Sequence, residues 1–354
     1  MGVSIDTRYL TEKGAFTIKE GLLFSRSASR SLSIPYPLST VSSASLSNTS
    51  MPLALGLAPQ LQSSNSHLYS LTTVDGYHLN LTEDSFVWAK SVSSLQRATK
   101  RKLLTLVPGM HGVVVQPTRG YFGDEGTWAE GYAIGMLRRL GFKTYNEALK
   151  PLMTGEGLGR YLENSKLREA LDTLRKGFNI GKKGMHTAGH NKESRFRLAL
   201  MRLTVINGDH LLGEKRMNSQ FLHASHLFQG GFIEGLLGMP SWRKLQHDPK
   251  FIYDCPSYEY LQDVLIMLAN FGTKGLIIDP YIGLRSTQPD LPYTLTMTLT
   301  NARRLYVNCK RNDKKRGGLN LSQIKDIKLS RIGAAYTVPQ KDNNCVIYNG
   351  IVTN

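Results

Sequence analysis

Cysteine is scarce in this chain. Its three cysteines, Cys255, Cys309 and Cys345, are odd in number and far apart. That argues against a disulfide scaffold and fits a reducing compartment. No CxxC pair occurs, which speaks against a cysteine-based zinc site. Long apolar runs are missing too. Val264–Leu268 and Gly275–Ile278 are too short to cross a bilayer. No apolar signal segment opens the chain, because Asp6, Arg8, Glu12 and Lys13 interrupt it. The chain is expected to be soluble and intracellular, in a compartment its sequence does not specify.

Acidic residues are the third shortage. Against 44 Lys and Arg stand 27 Asp and Glu, a formal net charge of +17 over 354 residues. Self-repulsion on that scale opposes compaction. Such a surplus serves binding to anions: nucleic acid, anionic membrane or acidic protein. Apolar residues still make up 41 %, enough to bury a core, and the length suits two domains.

Residues 14–66 are rich in serine between 25 and 50, low in charge and without sustained periodicity. They read as a flexible arm. Farther on, Tyr77-His78-Leu79-Asn80-Leu81 alternates and Asp75-Gly76 supplies a tight turn, which predicts a hairpin. Arg97, Lys100, Arg101 and Lys102 follow, then two short strand candidates between Leu103 and Val115 around Pro108-Gly109.

The centre reads as helical. Trp128–Leu140 is one candidate. Residues 160–176 are another, with Leu167, Leu171, Leu174 and Phe178 on one face. Residues 193–205 repeat the theme, and Ser257 is placed to cap a helix reaching Ala269 and ended by Gly272. After residue 273 the pattern changes to strands: Leu276–Ile278, Tyr293–Leu299, Leu305–Val307 and Val346–Tyr348. The expected fold class is α+β, with a mainly helical central region, a β-rich C-terminal region and a flexible N-terminal arm. The domain reading is an arm over 1–68, a mainly helical core over 69–272 and a β-rich basic region over 273–354.

The strongest chemical signal is the cationic stretch from Arg303 to Arg331. It holds Arg303, Arg304, Lys310, Arg311, Lys314, Lys315 and Arg316, then Lys325, Lys328 and Arg331, against Asp313 and Asp326 alone. The part from Lys310 to Gly318 is expected to be an exposed loop. Such a loop follows a phosphate backbone without reading bases, and each contact releases counterions, so its binding weakens with salt. Tyr306 and Tyr336 are placed to stack on bases or to pack in the core. A second basic region spans 160–216. There Lys182 and Lys183 sit between glycines and Arg195 and Arg202 lie seven apart on a predicted helix.

Catalytic patterns are weak. Gly155–Gly159 and Gly177–Lys183 lack the spacings of phosphate loops. His186 and His190 have metal-like spacing, but glycines disfavour a rigid helix there, and no Glu completes a metalloprotease motif. Asp124 and Glu125 form one compact acidic pair; it suits Mg²⁺ or, more simply, the start of the following helix. Gly230-Gly231-Phe232-Ile233-Glu234-Gly235-Leu236-Leu237 is similar to the helix motif of homing endonucleases. Its acid lies inside the motif rather than at its end, and there is no second copy, so that reading is rejected.

These observations point to a non-enzymatic nucleic-acid-binding structural protein. It would package or scaffold RNA or DNA, as viral nucleocapsid or ribosomal proteins do. The alternatives are a self-assembling matrix or coat protein on an anionic membrane, and a metal-dependent nucleic-acid-processing enzyme using Asp124 and Glu125. The expected phosphate contacts are Arg303, Arg304, Lys310, Arg311, Lys314, Lys315, Arg316, Lys182, Lys183, Arg195 and Arg202. RNA or DNA is the expected partner, with self-association as a further possibility; no cofactor, metal or small-molecule substrate is expected.

Overall fold

The computed structural model describes residues 2–11, 14–27, 32–35, 53–56, 58–94, 97–115, 122–141, 216–238, 250–280, 291–310, 320–339 and 346–353. More of them lie in antiparallel strands than in helices. The large sheet is built from β1 (Arg8–Thr11), β2 (Gly14–Thr17), β5 (Gln60–Thr73), β6 (His78–Thr82), β7 (Phe86–Ser91), β8 (Thr99–Lys102), β9 (His111–Val115), β13 (Asn320–Thr337), β14 (Val346–Tyr348) and β15 (Ile351–Thr353). Their order is β2-β1-β14-β15-β7-β9-β13-β5-β6, with β8 on the edge of β7. A hairpin pairs β3 (Leu32–Pro35) with β4 (Leu53–Gly56). A separate three-stranded sheet has the order β10 (Lys250–Cys255), β12 (Tyr293–Thr298), β11 (Leu276–Ile278).

Among the described residues the helices are few and short: α1 (Ile18–Ser27), α2 (Trp128–Arg139), α3 (Ser219–Leu222), α4 (His226–Leu236), α5 (Tyr258–Asn270) and α6 (Leu299–Lys310). This corrects the expected architecture of a helical centre followed by a β-rich end. The first strands belong to the sheet rather than to a flexible arm. Tyr9 pairs with Tyr348, and Tyr9, Leu10, Ala15, Phe16 and Ile18 are buried. A partner more than 300 residues away leaves no local trace. The polar residues Gln60–His67 likewise extend β5 because β13 supplies their ladder hydrogen bonds. Leu305–Val307, expected as a strand, lies in α6. The helices expected over 160–176 and 193–205 fall outside the described residues.

Several local signals hold. Ser257 Oγ accepts from the Tyr260 N–H at 3.2 Å and starts α5, and Gly272, at φ 65°, follows its end. The strands at Leu276–Ile278, Tyr293–Thr298 and Val346–Tyr348 stand where alternation places them. Gly76, at φ 98°, makes the turn between β5 and β6.

Helix α5 is apolar on nearly all sides and sits between the two sheets. Tyr258 donates its hydroxyl to Gly76 O at 2.8 Å, and Gln262 Nε2 donates to His78 O. At the centre of this contact a buried ion pair joins β1 to α5. Arg8 Nε meets Asp263 Oδ1 at 2.7 Å and Nη2 meets Oδ2 at 3.0 Å. Ser219 Oγ accepts from Nη1 at 2.9 Å and Met217 O from Nη2 at 2.7 Å, and the Met217 N–H donates to Asp263 at 3.1 Å. Among the described residues no helix is long and apolar enough to cross a membrane.

Candidate nucleic-acid interface

Helix α2 begins with a capping box: Thr127 Oγ1 accepts from the Glu130 N–H, and the Glu130 carboxylate accepts from the Thr127 N–H at 2.7 Å. Ser225 caps α4 in the same way, its Oγ accepting from Phe228 N at 3.1 Å. The two helices run side by side in the same direction, with backbones in contact. A Cβ on Gly131 would collide with Phe228 O, and one on Gly135 with Phe232 O. Reciprocally, a Cβ on Gly231 would collide with Trp128 O, and one on Gly235 with Tyr132 O. Only glycine permits this approach. Residues exactly 100 apart exchange roles, so the pair has local two-fold character, the self-complementary geometry of an isologous contact.

Helices α2 and α4 thus share glycines at a spacing of four, with Trp128, Tyr132 and Met136 of α2 standing where α4 has Phe228, Phe232 and Leu236. Glu234 of α4 is buried and accepts from Trp128 Nε1 at 3.3 Å.

The C-terminal ends of the pair carry apolar and cationic groups. Met136, Leu137, Leu236 and Leu237 are buried there. Arg139 Nη1 donates to Leu236 O at 3.3 Å, across the pair. The Arg138 guanidinium lies 4.0 Å from the Tyr260 ring centroid, and its Nε donates to Tyr253 Oη at 3.2 Å. Cations at helix C-termini complement the dipole, and here they repel a divalent ion.

Beside the pair, the three-stranded sheet has one buried and one open face. Phe251, Tyr253, Cys255, Ile277, Leu295 and Met297 are buried in the core. On the opposite face Ile252 pairs with Thr296, and Asp254 with Thr294; Leu276 and Ile278 face the same two threonines from the other side. Ile252 and Ile278 are each 47 % exposed and Leu276 is 37 % exposed. The threonines of the central strand thus lie between Ile252 on one side and Leu276 and Ile278 on the other. The chain passes directly from β12 into α6, which carries Arg303 and Arg304, both exposed. Lys310 ends that helix.

Arg311, Lys314, Lys315, Arg316, Lys182, Lys183, Arg195 and Arg202 lie outside the described residues, as do His186 and His190. Of the other histidines noted in the sequence, His223 Nε2 bonds to Ala15 O at 2.8 Å with its ring stacked on Phe16 at 3.5 Å. His226 Nε2 bonds to Asn308 O at 2.9 Å. Both are packing groups. Asp124 and Glu125 are exposed ahead of the α2 N-terminus, and Glu125 O accepts from Ser225 N at 2.6 Å. Among the described residues no group of three His, Cys, Asp or Glu stands together as a metal site.

No protein-family model matches this chain, and no curated protein matches it.

Proposed function

We propose that the protein binds nucleic acid, duplex DNA in particular, on the open face of the three-stranded sheet, without cutting it. The observation that carries this reading is the reciprocal glycine contact between α2 and α4. In this reading the pair takes the place of the second copy whose absence had led the similarity to the homing-endonuclease helix motif to be rejected. Arg138 of the pair reaches Tyr253 of the sheet, and the sheet offers Thr296 and Thr298 with three exposed apolar side chains, while the Thr294 hydroxyl is held by Asp254 Oδ1 at 2.7 Å. Hydroxyls and methyl groups are the contacts that base edges accept in a major groove. Arg303 and Arg304 supply phosphate contacts at its border. The motif's terminal acids are replaced by Met136, Leu137, Leu236 and Leu237, and Arg138 and Arg139 follow, so binding is favoured over Mg²⁺-dependent cleavage. Packaging or scaffolding remains compatible with such binding. The buried thiols of Cys255 and Cys309 suit a reducing intracellular compartment.

The test is a titration of a labelled 30-base-pair duplex at several salt concentrations, with and without EDTA. The native protein is expected to bind in a salt-dependent, EDTA-insensitive way. Arg303→Gln/Arg304→Gln should lower the slope of log K against log salt by about 2, near 0.9 for each lost phosphate contact. Ile252→Glu should weaken binding about tenfold or more without changing the fold, because its side chain faces solvent. An unaltered affinity in both variants overturns the reading, as does Mg²⁺-dependent cutting that disappears in Asp124→Asn.

A further inference from the structure

From Ser85 to Gly123 the chain has no acidic residue, while Lys90, Arg97, Lys100, Arg101, Lys102 and Arg119 lie within that span. The structure folds part of it into the edge of the large sheet, and the register sorts its side chains by face. Phe86 stands opposite Lys102, and Trp88 opposite Lys100. Lys90 stands opposite Gly112, which in turn stands opposite Gln323 of β13. Residues directly opposite in an antiparallel pair share a face. Phe86, Trp88, Lys90, Lys100, Lys102 and Gln323 therefore line one surface across four strands, with bare Gly112 among them. The other face, with Val87, Ala89 and Val113, is buried.

On this surface Phe86 is 36 % exposed and Lys100 and Lys102 are exposed, while Trp88 is half-buried and packs against the core. Lys100 Nζ lies 4.8 Å from the Phe86 ring centroid. Lys90 Nζ donates to Ser94 O at 3.2 Å, which leaves two of its three N–H groups for other acceptors. Two aromatic side chains two residues apart on a strand lie about 7 Å from one another along it. That spacing suits successive bases of an unstacked strand, with lysines alongside to meet the phosphates. Duplex DNA keeps its bases stacked and turned inward, so it has no use for the rings.

We propose that this face of β7, β8, β9 and β13 binds single-stranded nucleic acid. Phe86 stacks on a base, the outer part of the half-buried Trp88 borders the next one, and Lys90, Lys100 and Lys102 contact phosphates. The site is separate from the three-stranded sheet and does not depend on the duplex reading. Lysines also protect exposed sheet edges from pairing with other chains, and β8 has only β7 as a partner among the described residues. The test separates the two roles.

The probe is a labelled twelve-residue oligo(dT), titrated by fluorescence polarisation against the full chain at several salt concentrations. Salt-dependent binding is expected. Lys100→Gln/Lys102→Gln should weaken it about tenfold or more and lower the salt slope by about 1.4, near 0.7 for each lost contact. Phe86→Leu should weaken it about fivefold or more with the slope unchanged, since a ring and no charge is lost. Both variants should melt at the native temperature. The Arg303→Gln/Arg304→Gln variant should keep native oligo(dT) affinity, which makes failure here distinguishable from failure of duplex binding. No oligo(dT) affinity, or native affinity in both platform variants, overturns the proposal. So does a Lys100→Gln/Lys102→Gln variant that binds normally but self-associates in sedimentation, because its lysines then serve only to protect the edge.

Discussion

Asp263 has more riding on it than any other described carboxylate. It accepts from two nitrogens of Arg8 and from the Met217 backbone, and Arg216 Nη1 lies 3.8 Å away. A buried pair of this kind repays its desolvation only because the geometry is bidentate and further acceptors meet the guanidinium. Removing Asp263 takes away the bidentate partner of the buried Arg8 and leaves Glu20 as a neighbouring acid. Asp263→Ala is therefore expected to cost about 3–5 kcal/mol in urea unfolding. A loss below about 1 kcal/mol would show that water reaches Arg8. The pair was invisible in the sequence, because Arg8 and Asp263 are separated by 255 positions and carry no motif.

At the scale of elements, α2 and α4 show how little of a helix pair is written in its apolar pattern. Both have apolar residues around most of their circumference, which says only that they are buried. What positions them is four glycines that let backbone touch backbone. Each of Gly131→Ala, Gly135→Ala, Gly231→Ala and Gly235→Ala places a methyl against a carbonyl that cannot swing aside. Each should destabilise by at least about 1–3 kcal/mol in thermal or urea unfolding, although alanine is the better helix former. A neutral Gly231→Ala would mean the helices separate freely. Helix α2 itself was legible from its start at Trp128, as were α5 and the strands at 276–278 and 293–298, because caps and period-2 alternation are local. Strands β1, β2 and the first half of β5 were not legible. They are short of apolar residues or rich in polar ones, and β1 and β5 find partners in β14 and β13 at the far end of the chain.

At the scale of the whole molecule, acid sensitivity follows from buried histidines. Burial pushes His223 down to about 4, against the pull of the Glu20 carboxylate. Burial also lowers His78 and His226. In the unfolded chain each takes up a proton near pH 6.5. Between there and pH 4 the unfolded chain binds more protons, so stability rises with pH. The contribution is whole above about pH 6.5 and is lost as pH falls toward 4. The urea midpoint should drop between pH 7.5 and 5, and His223→Gln should make that drop smaller. An identical drop in the variant removes His223 as a source.

Charge surplus, scarce cysteine, short apolar runs and most local caps and turns belong to the sequence by itself. Each depends only on composition or on neighbours within a few residues. The dominance of antiparallel sheet, the pairing of the two glycine-bearing helices and the sorting of Phe86, Trp88 and the lysines onto one face were decided only by the tertiary structure. Strand registers and backbone-to-backbone contacts join residues tens to hundreds of positions apart, and their free energy appears only when those segments meet.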